Sequence, residues 1–381
     1  MRLVIHDLGE KEWNRIQSEY KGDRVVSDSG LIHPCIGCFS CWNKTPGRCV
    51  IRDGYENMGE LIHHADEVIV ISHYTYGGFS GFVKNVFDRS LGYVLPQFEV
   101  VNGESHHRKR YEETRLFTFI FLGHNLSTEE KDSAVRYVNA VIANIRGQVK
   151  SVEFRECEEQ DFAAKQQTVT KPGRTVLLIG SMRSERGNSA KLAAELNSLM
   201  DSEAEILPIK DYLGKTNELC SALESAEKIV LCTPLYVDGL PAQVIRFMED
   251  AEKHLSRIPR KVYVLANMGL YESSQLANLF SAVKQWCGKM DQEYCGGLGI
   301  SAGELIGTLM DFIPFRHGPS RNASAGMKKL SDAVRRGIGL EVISAEPFCF
   351  PRFLYIMIAN LNWNRTARIN GIKPADLYRR L

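Results

Sequence analysis

The sequence predicts an α/β fold with two doubly wound parallel-sheet domains in tandem. Short apolar runs alternate with amphipathic helices in both halves of the chain, which is the pattern of parallel sheets with right-handed crossovers. One strand–loop–helix pattern occurs twice, and 381 residues exceed the size of an ordinary single core. We therefore expect two domains that pack together as a pseudo-dimer.

The repeated pattern joins an apolar strand, an aromatic glycine loop and a helix that ends in an acid. Aligned on Gly78 and Gly239, the two copies share all three parts, and their helices end in Asp88 and Glu249. Ligands of doubly wound sheets bind at the carboxyl ends of the strands. Functional residues are therefore expected in the loops that follow the strands.

Strands buried on both faces are predicted where short apolar runs are rich in β-branched residues. These runs are residues 68–71, 116–122, 176–179, 229–232 and 262–266. Apolar residues at three- and four-residue spacing predict helices. These are residues 135–145, 191–200 and 244–251. Residues 97–114 include the basic run 106–110 and are predicted to form an exposed, solvated loop rather than a cofactor-phosphate site.

A polar stretch that ends in Pro172-Gly173 separates the two halves and is the best linker candidate. The predicted organisation is a first domain, a linker, a second domain and a helical C-terminal extension. Their ranges are residues 1–157, 158–174, 175–300 and 301–381.

The composition is that of a soluble globular protein, with 44% hydrophobic and 24% charged residues. A formal net charge of +1 offers no electrostatic footprint for nucleic acid or an acidic membrane surface. The N-terminal residues lack the pattern of a signal peptide, and no apolar stretch is long enough to span a bilayer. A cytoplasmic protein without nucleic-acid or membrane partners is expected.

Ten cysteines in a long chain without a secretion signal are expected to stay reduced, bind metal or act in redox chemistry. Four of them form one array, at Cys35, Cys38, Cys41 and Cys49. Three thiolates at this spacing can cap one face of a 4Fe–4S cube while the last cysteine reaches the fourth iron. Zinc sites more often use two separated cysteine pairs. A cluster therefore ranks first, redox-active or free thiols second and zinc third.

A strand, a loop rich in hydroxyl groups and arginine, and a helix follow one another over residues 175–200. This order suits a monophosphate, because serine hydroxyls and the N–H groups of a helix N-terminus donate to its oxygens. The candidate groups are Ser181, Arg183, Ser184, Arg186 and Ser189. The alternative is a plain strand-to-helix turn with Ser189 as the N-cap.

Two further loops follow the next strands and are suited to enclosing a planar ring. The loop over residues 233–241 can place Tyr236 against the ring and point backbone amides at its heteroatoms. Residues 267–272 would close the other side. The alternative for Tyr236 is a side chain that packs a domain interface.

These three loops resemble those of the NAD(P)H-dependent FMN reductase branch of the flavodoxin-like superfamily. Members carry Gly-Ser-x-Arg…Asn-Ser, Pro-x-Tyr and Asn-x-Gly loops, which this chain has at residues 180–189, 234–241 and 267–269. The resemblance covers most of residues 175–300 and implies flavodoxin-like domains with one set of FMN ligands. That set is Ser181, Arg183, Asn188, Ser189, Pro234, Leu235, Tyr236, Val237, Asn267 and Gly269.

The cysteine array is similar to the compact cluster motif of iron–sulfur flavoproteins, which belong to the same superfamily. The rest of the first domain departs from the flavin pattern. Asp7, Glu10 and Glu12 stand where a phosphate would sit, and Thr75 takes the place of Tyr236. Because carboxylates repel a phosphate dianion, we expect one FMN per chain, held by the second domain.

The resemblance implies a flavin-dependent oxidoreductase that passes reducing equivalents from NADH or NADPH through FMN to a small-molecule or protein acceptor. One alternative is a quinone, nitro or azo reductase that uses the same flavin. Others are an electron-transfer protein without its own substrate and a flavin-binding protein without turnover. The chain is expected to be a monomeric pseudo-dimer or a homodimer.

Overall fold

The chain divides into two compact units, which are Met1–Gln160 with Ile356–Leu381, and Asp161–Tyr355. The computed structural model describes residues 1–158, 173–183, 187–201 and 203–381. Most of the predicted linker, residues 159–172, lies outside the described residues.

The first unit is built on a parallel sheet of five strands. The strands of this unit are β1 (Arg2–His6), β2 (Arg24–Ser27), β3 (Glu67–His73), β4 (Val94–Val101), β5 (Glu104–Lys109), β6 (Leu116–Gly123) and β7 (Gln148–Glu156). The parallel sheet has the order β2-β1-β3-β6-β7, while β4 and β5 pair separately. Taken in sequence the order is 2-1-3-4-5, the doubly wound arrangement of flavodoxin-like folds.

Helices cover this sheet and come between its strands. They are α1 (Glu10–Ile16), α2 (Ser40–Asn43), α3 (Met58–His64), α4 (Gly81–Arg89) and α5 (Thr128–Asn144). Every residue of α4 is buried, and the Ser80 hydroxyl caps this helix by accepting from the Val83 N–H. Helix α5 begins with a reciprocal capping box between Ser127 and Glu130.

The prediction of an exposed loop over residues 97–114 is wrong. Strands β4 and β5 form an antiparallel hairpin there, joined at Asn102 and Gly103, which both have positive φ. Arg110 is 3% exposed and donates to the carbonyl oxygens of Gly92 and Leu377. The Asn-Gly pair is a strong hairpin signal. The basic run beside it indicated a solvated loop instead, but its Arg110 is buried and donates to carbonyl oxygens rather than to solvent.

The second unit repeats the same strand order with one more strand. Its strands are β8 (Arg174–Ile179), β9 (Glu205–Pro208), β10 (Ala226–Pro234), β11 (Lys261–Asn267), β12 (Glu293–Ile300) and β13 (Ile343–Ala345). The sheet has the order β13-β12-β11-β10-β8-β9, and every pairing is parallel. All five strands predicted in the two units are confirmed.

Helices of the second unit follow its strands along the chain. They are α6 (Asn188–Leu199), α7 (Thr216–Leu223), α8 (Ala242–His254), α9 (Ala277–Lys289), α10 (Gly303–Leu309), α11 (Arg321–Arg336) and the start of α12 (Arg352–Ile369). Helices α6, α10 and α11 bury one large apolar core against the sheet, and this core includes Leu177 and Leu265 of the sheet, Leu196 of α6 and Met327 of α11. In the part of the chain that the structure describes, no helix combines the length and apolar character needed to cross a bilayer.

Residues 301–381 are mainly helical, as predicted, and they also contain the edge strand β13. The division between the units falls within α12, because Tyr355 belongs to the second unit and Ile356 to the first. The C-terminal segment therefore contributes residues to both units.

Candidate functional site

The loop that follows β8 is held close to β10 and α8. The Gly180 N–H donates to the Cys232 carbonyl over 2.9 Å, and the Gln243 side chain donates to the Gly180 carbonyl over 2.7 Å. A Cβ at Gly180 would lie 2.7 Å from both Thr233 and Val244. A glycine is therefore required for this close approach.

Ser181 and Arg183 stand at the start of the predicted phosphate loop. Ser181 is 4% exposed, and its hydroxyl accepts from the Arg183 N–H over 3.2 Å. The Arg183 guanidinium lies nearer the surface and pairs with Glu304 of α10 at 3.0 Å. Ser184 and Arg186, the other two candidates here, lie outside the described residues.

Asn188 and Ser189 form the first turn of α6, which begins three residues earlier than predicted. Gly187 occupies the N-cap position, so the alternative of Ser189 as N-cap is wrong. The Asn188 side chain donates to the Gly303 carbonyl over 3.0 Å. The buried Ser189 hydroxyl accepts from the Asn267 amide over 2.8 Å. This second bond joins the phosphate loop to the loop after β11.

The Tyr236 loop repeats the turn of the first unit. Tyr236 and Gly239 form an isolated antiparallel bridge, as do Thr75 and Gly78. The two central residues of each turn have positive φ, as in the tight I′ turns that usually require glycine or asparagine. Aligning Gly78 with Gly239 is therefore confirmed, and Thr75 lies at the position of Tyr236. The Leu235 N–H donates to the Asn267 carbonyl over 2.8 Å.

The loop after β11 is fixed by residues that come much later in the chain. Asn267 is 4% exposed. The Tyr355 hydroxyl donates to the Gly269 carbonyl, and Arg352 pairs with Glu272 at 2.8 Å. Burial raises the pKa of the Tyr355 phenol, so it remains a hydrogen-bond donor. Sequence reasoning missed Tyr355, because it lies 86 residues from Gly269 in the chain.

The ten predicted FMN ligands therefore lie at the carboxyl ends of three adjacent strands, β8, β10 and β11, or in the first turn of α6. Strands β8 and β10 flank the point where the strand order reverses. Doubly wound sheets bind their ligands at this point. Hydrogen bonds from Asn267 and Leu235 connect the three loops directly.

The same edge of the first unit holds an ion cluster instead. Asp7 accepts from the His73 N–H, from the His73 ring at 3.0 Å and from the Ser72 hydroxyl at 3.1 Å. Glu12 contacts the other ring nitrogen of His73 at 3.2 Å. The donors at the end of β3 already serve a carboxylate of the chain itself. This arrangement supports the expectation that no phosphate binds here.

The His73 cluster predicts a pH-dependent contribution to stability. Burial alone would lower the pKa of His73, but Asp7 and Glu12 outweigh burial and raise that pKa to about 9. The contribution should be complete below about pH 6.5, the usual histidine value, and lost as the pH rises through 9. Its size is on the order of 3 kcal/mol, since one pKa unit corresponds to about 1.4 kcal/mol. Denaturant unfolding from pH 6 to 10 measures it.

The matched variants are His73→Gln and, as control, His124→Gln, which alters a more exposed histidine paired with Glu156. The difference in unfolding free energy between the wild-type protein and His73→Gln should shrink as the pH rises, and by more than the difference for the control variant. A pH-independent difference for His73→Gln would contradict the assigned charge.

The four cysteines of the array line one small cavity of the first unit. None of the four is in a disulfide bond. Burial and the charge of Asp88 raise the pKa of Cys35 to about 12, and burial raises the pKa of Cys41 well above its usual value. Thiolates at these positions therefore need a compensating cation, as cysteine ligands of a metal do.

N–H groups of the chain already point at the sulfurs. Arg89 donates its Nε–H to the Cys49 sulfur at 3.2 Å, and the Ser40 N–H donates to the Cys38 sulfur at 3.5 Å. Among the described residues, these cysteines included, no three His, Cys, Asp or Glu side chains are grouped as the ligands of a single ion. Four thiols around one cavity with N–H donors to sulfur fit a cluster, and this assignment stays a prediction.

Two iron–sulfur flavoproteins are similar to parts of this chain. A stretch of 76 residues, 20% of this chain and 34% of the relative, is 33% identical to an iron–sulfur flavoprotein of Archaeoglobus fulgidus. A stretch of 59 residues, 16% of this chain and 30% of the relative, is 37% identical to one from Methanocaldococcus jannaschii. The chain thus spans about a third of the length of these curated relatives. No protein-family model matches it.

Solved structures with similar portions include the Trp repressor binding protein of Bacillus subtilis, at 16% identity and a TM-score of 0.29 over 34% of this chain and 83% of that one. An azoreductase of Bacillus anthracis matches at 13% identity and a TM-score of 0.32, over 43% of this chain and all of that one. An oxidoreductase of Corynebacterium diphtheriae matches at 14% identity and a TM-score of 0.33, over 43% of this chain and 96% of that one. At such TM-scores, the fold assignment rests on the strand order of the two sheets.

Strand order and partial sequence similarity agree. Both units have the 2-1-3-4-5 order of flavodoxin-like folds. The curated relatives are iron–sulfur flavoproteins. The resemblance predicted from the loops and the cysteine array is therefore confirmed, and the chain resembles the iron–sulfur flavoprotein branch of the flavodoxin-like superfamily.

Proposed function

We propose that this chain is a flavin-dependent oxidoreductase that binds one FMN in its second unit. It would pass reducing equivalents from NADH or NADPH to a second acceptor. The observation that carries the proposal is the hydrogen-bonded junction of the loops after β8, β10 and β11, with Asn267 at its centre. Partial similarity to iron–sulfur flavoproteins supports it.

The phosphate of FMN would be held by Ser181, Arg183, Asn188 and Ser189. Ser181 and Ser189 offer buried hydroxyls, and the first turn of α6 offers N–H groups without partners within the helix. The positive end of this helix and the Arg183 guanidinium supply charge that favours a dianion.

The ring would be held by the remaining predicted ligands, which are Pro234, Leu235, Tyr236, Val237, Asn267 and Gly269. When bound, FMN supplies the capacity to accept a hydride and to release electrons singly or in pairs. The residues of this chain would orient the ring. Tyr355 restrains the Gly269 carbonyl, and the Asn267 carbonyl restrains Leu235.

Cys35, Cys38, Cys41 and Cys49 would hold a 4Fe–4S cluster in the first unit, which supplies one-electron chemistry when bound. A second candidate function is electron transfer without a substrate site, and the pairing of a cluster with a flavin in the similar iron–sulfur flavoproteins supports it. A quinone, nitro or azo reductase would use the same flavin site.

Steady-state oxidation of NADH and NADPH by the FMN-loaded, full-length protein tests the proposal. We expect sustained oxidation when a quinone is supplied as acceptor. If the nicotinamides are not oxidised although dithionite reduces the bound flavin, the electron-transfer function is favoured instead. Protein that binds no FMN would refute both.

Tyr236→Ala should lower turnover and alter the flavin spectrum more than it weakens FMN binding. The phosphate contacts supply much of the binding free energy, so FMN affinity should fall less than turnover does. Tyr236→Phe is the matched control, because it keeps the ring. Unchanged turnover and spectrum in Tyr236→Ala would mean that the tyrosine only packs its loop.

A further inference from the structure

Arg89, the last residue of α4, directs all its side-chain donors into the segment that carries the cysteine array. Its side chain is completely buried. Its Nε–H donates to the Cys49 sulfur at 3.2 Å. Its two Nη groups bind the Asp53 carboxylate at 2.8 and 2.9 Å. They also donate to the carbonyl oxygens of His33 at 2.8 Å and Ile51 at 3.2 Å. One guanidinium thus fastens the chain on both sides of the array.

Asn85, one turn earlier on α4, completes the attachment. This residue is fully buried. Its carbonyl oxygen accepts from the Cys35 N–H over 3.3 Å, and its amide donates to the His33 carbonyl over 3.3 Å. Helix α4 therefore contacts both the first and the last cysteine of the array.

The charges around the cavity are paired. Asp53 neutralises Arg89, and Lys84 forms a completely buried ion pair with Asp88, which also lines the cavity. Because the Arg89 Nη groups serve Asp53 and carbonyl oxygens, the Nε–H remains directed at the sulfur. A hydrogen bond to a sulfur ligand stabilises added negative charge there.

The repeat supplies an independent comparison. Aligned on the two glycine turns, α4 and α8 begin at equivalent residues, Gly81 and Ala242. At the position of Arg89 the second unit has Asp250, which accepts from the Thr216 hydroxyl at 2.9 Å. The arginine therefore occurs in the copy of the repeat whose unit has a cysteine array.

We propose that Arg89 is a positioning residue for the cysteine site. Arg89 holds Cys49 in place and stabilises the reduced form of an iron–sulfur cluster bound there. This inference rests on the cluster in the proposed function. The relevant feature is the planar fork of the guanidinium, since it binds the carboxylate and the sulfur at once. Lysine carries the charge without this geometry.

The test compares full-length wild-type protein with Arg89→Gln and Arg89→Lys after anaerobic reconstitution with ferrous iron and sulfide. Iron and FMN per chain, the rate of iron loss to a chelator and the cluster midpoint potential are measured on the same samples. Both variants should lose iron about ten- to a hundredfold faster, the usual effect of removing a partner of a metal ligand. Their cluster potentials should become more negative, while FMN content is unchanged.

Arg48→Gln is the matched control. Arg48 lies in the same loop but is partly exposed and pairs with Glu60 at 2.7 Å. It should retain iron and potential. Equal iron loss and potential in Arg89→Gln and Arg48→Gln would overturn the inference, as would wild-type behaviour of Arg89→Lys. A wild-type protein that takes up no iron would overturn both the Arg89 inference and the proposed cluster. The FMN content of the same protein would still test the flavin proposal separately.

Arg89→Gln leaves Asp53 without its cation and can unfold the first unit. A measurement on the unmutated protein therefore provides the same test. In protein labelled with nitrogen-15 arginine, hyperfine spectroscopy of the reduced cluster should reveal a coupled arginine nitrogen. Its absence would overturn the inference.

Discussion

Replacing Arg183 with alanine should weaken FMN binding by about ten- to a hundredfold. Arg183 lies at the start of the predicted phosphate loop, where its guanidinium carries a positive charge. A charge-assisted hydrogen bond to phosphate contributes on the order of 1.5–3 kcal/mol. Fluorescence titration of the flavin-depleted protein with FMN measures the change.

Two matched variants separate this effect from its alternatives. Arg183 pairs with Glu304, so Glu304→Gln should bind FMN at least as tightly as the wild-type protein, because it removes a carboxylate that shares the guanidinium. Arg335→Ala removes an exposed arginine that pairs with Asp201 and should leave affinity unchanged. Unaltered affinity in Arg183→Ala, or two flavins per chain, would contradict a single FMN in the second unit.

The five predicted strands could be recognised because they are buried on both faces over most of their length and form continuous apolar runs. Residues 116–122 and 262–266 both became strands of parallel sheets. The edge strand β13 contributes only Ile343–Ala345, and so short a run carries no periodic signal. The hairpin of β4 and β5 was missed for a different reason, since its Asn-Gly turn lay next to a basic run whose Arg110 proved to be buried.

The loops of the candidate site could be predicted because backbone geometry and hydroxyl chemistry leave local patterns. Their supporting contacts leave none. Glu304 and Tyr355 meet Arg183 and Gly269 across more than eighty residues of sequence, at separations of 121 and 86. Only the fold brings such pairs together. The loops can therefore be recognised in a single sequence, but the residues that hold them in place cannot.

The two copies of the repeat differ at their equivalent sheet edges in a way that supports the proposal of one flavin per chain. In the second unit, Ser189 and Asn267 tie loops together around donors suited to a phosphate. In the first unit, Asp7 receives the donors of His73 and Ser72. A carboxylate of the chain thus accepts the hydrogen-bond donors at this edge of the first unit. Within the described residues, the first unit has a feature that the second lacks, the cavity lined by the cysteine array.

Changing Cys38 to serine should abolish iron binding without removing FMN. Reconstituted wild-type protein should contain about four irons per chain, the content of one 4Fe–4S cluster with four cysteine ligands. Cys38 is exposed, so the substitution disturbs little packing, and the array belongs to a different unit from the predicted FMN ligands. Iron analysis and the visible spectrum of anaerobically purified protein measure both cofactors.

Cys349→Ser is the matched control, because it removes the other exposed cysteine, which lies in the second unit. It should keep both iron and FMN. Iron that persists in Cys38→Ser would exclude this cysteine as a ligand. Wild-type protein without iron, however it is handled, would leave thiols that pack or oxidise, and stoichiometric zinc would give the loop a structural role. The cluster requires all four sulfurs at one cavity, so iron and zinc analysis of the wild-type protein and of Cys38→Ser together decides among these alternatives.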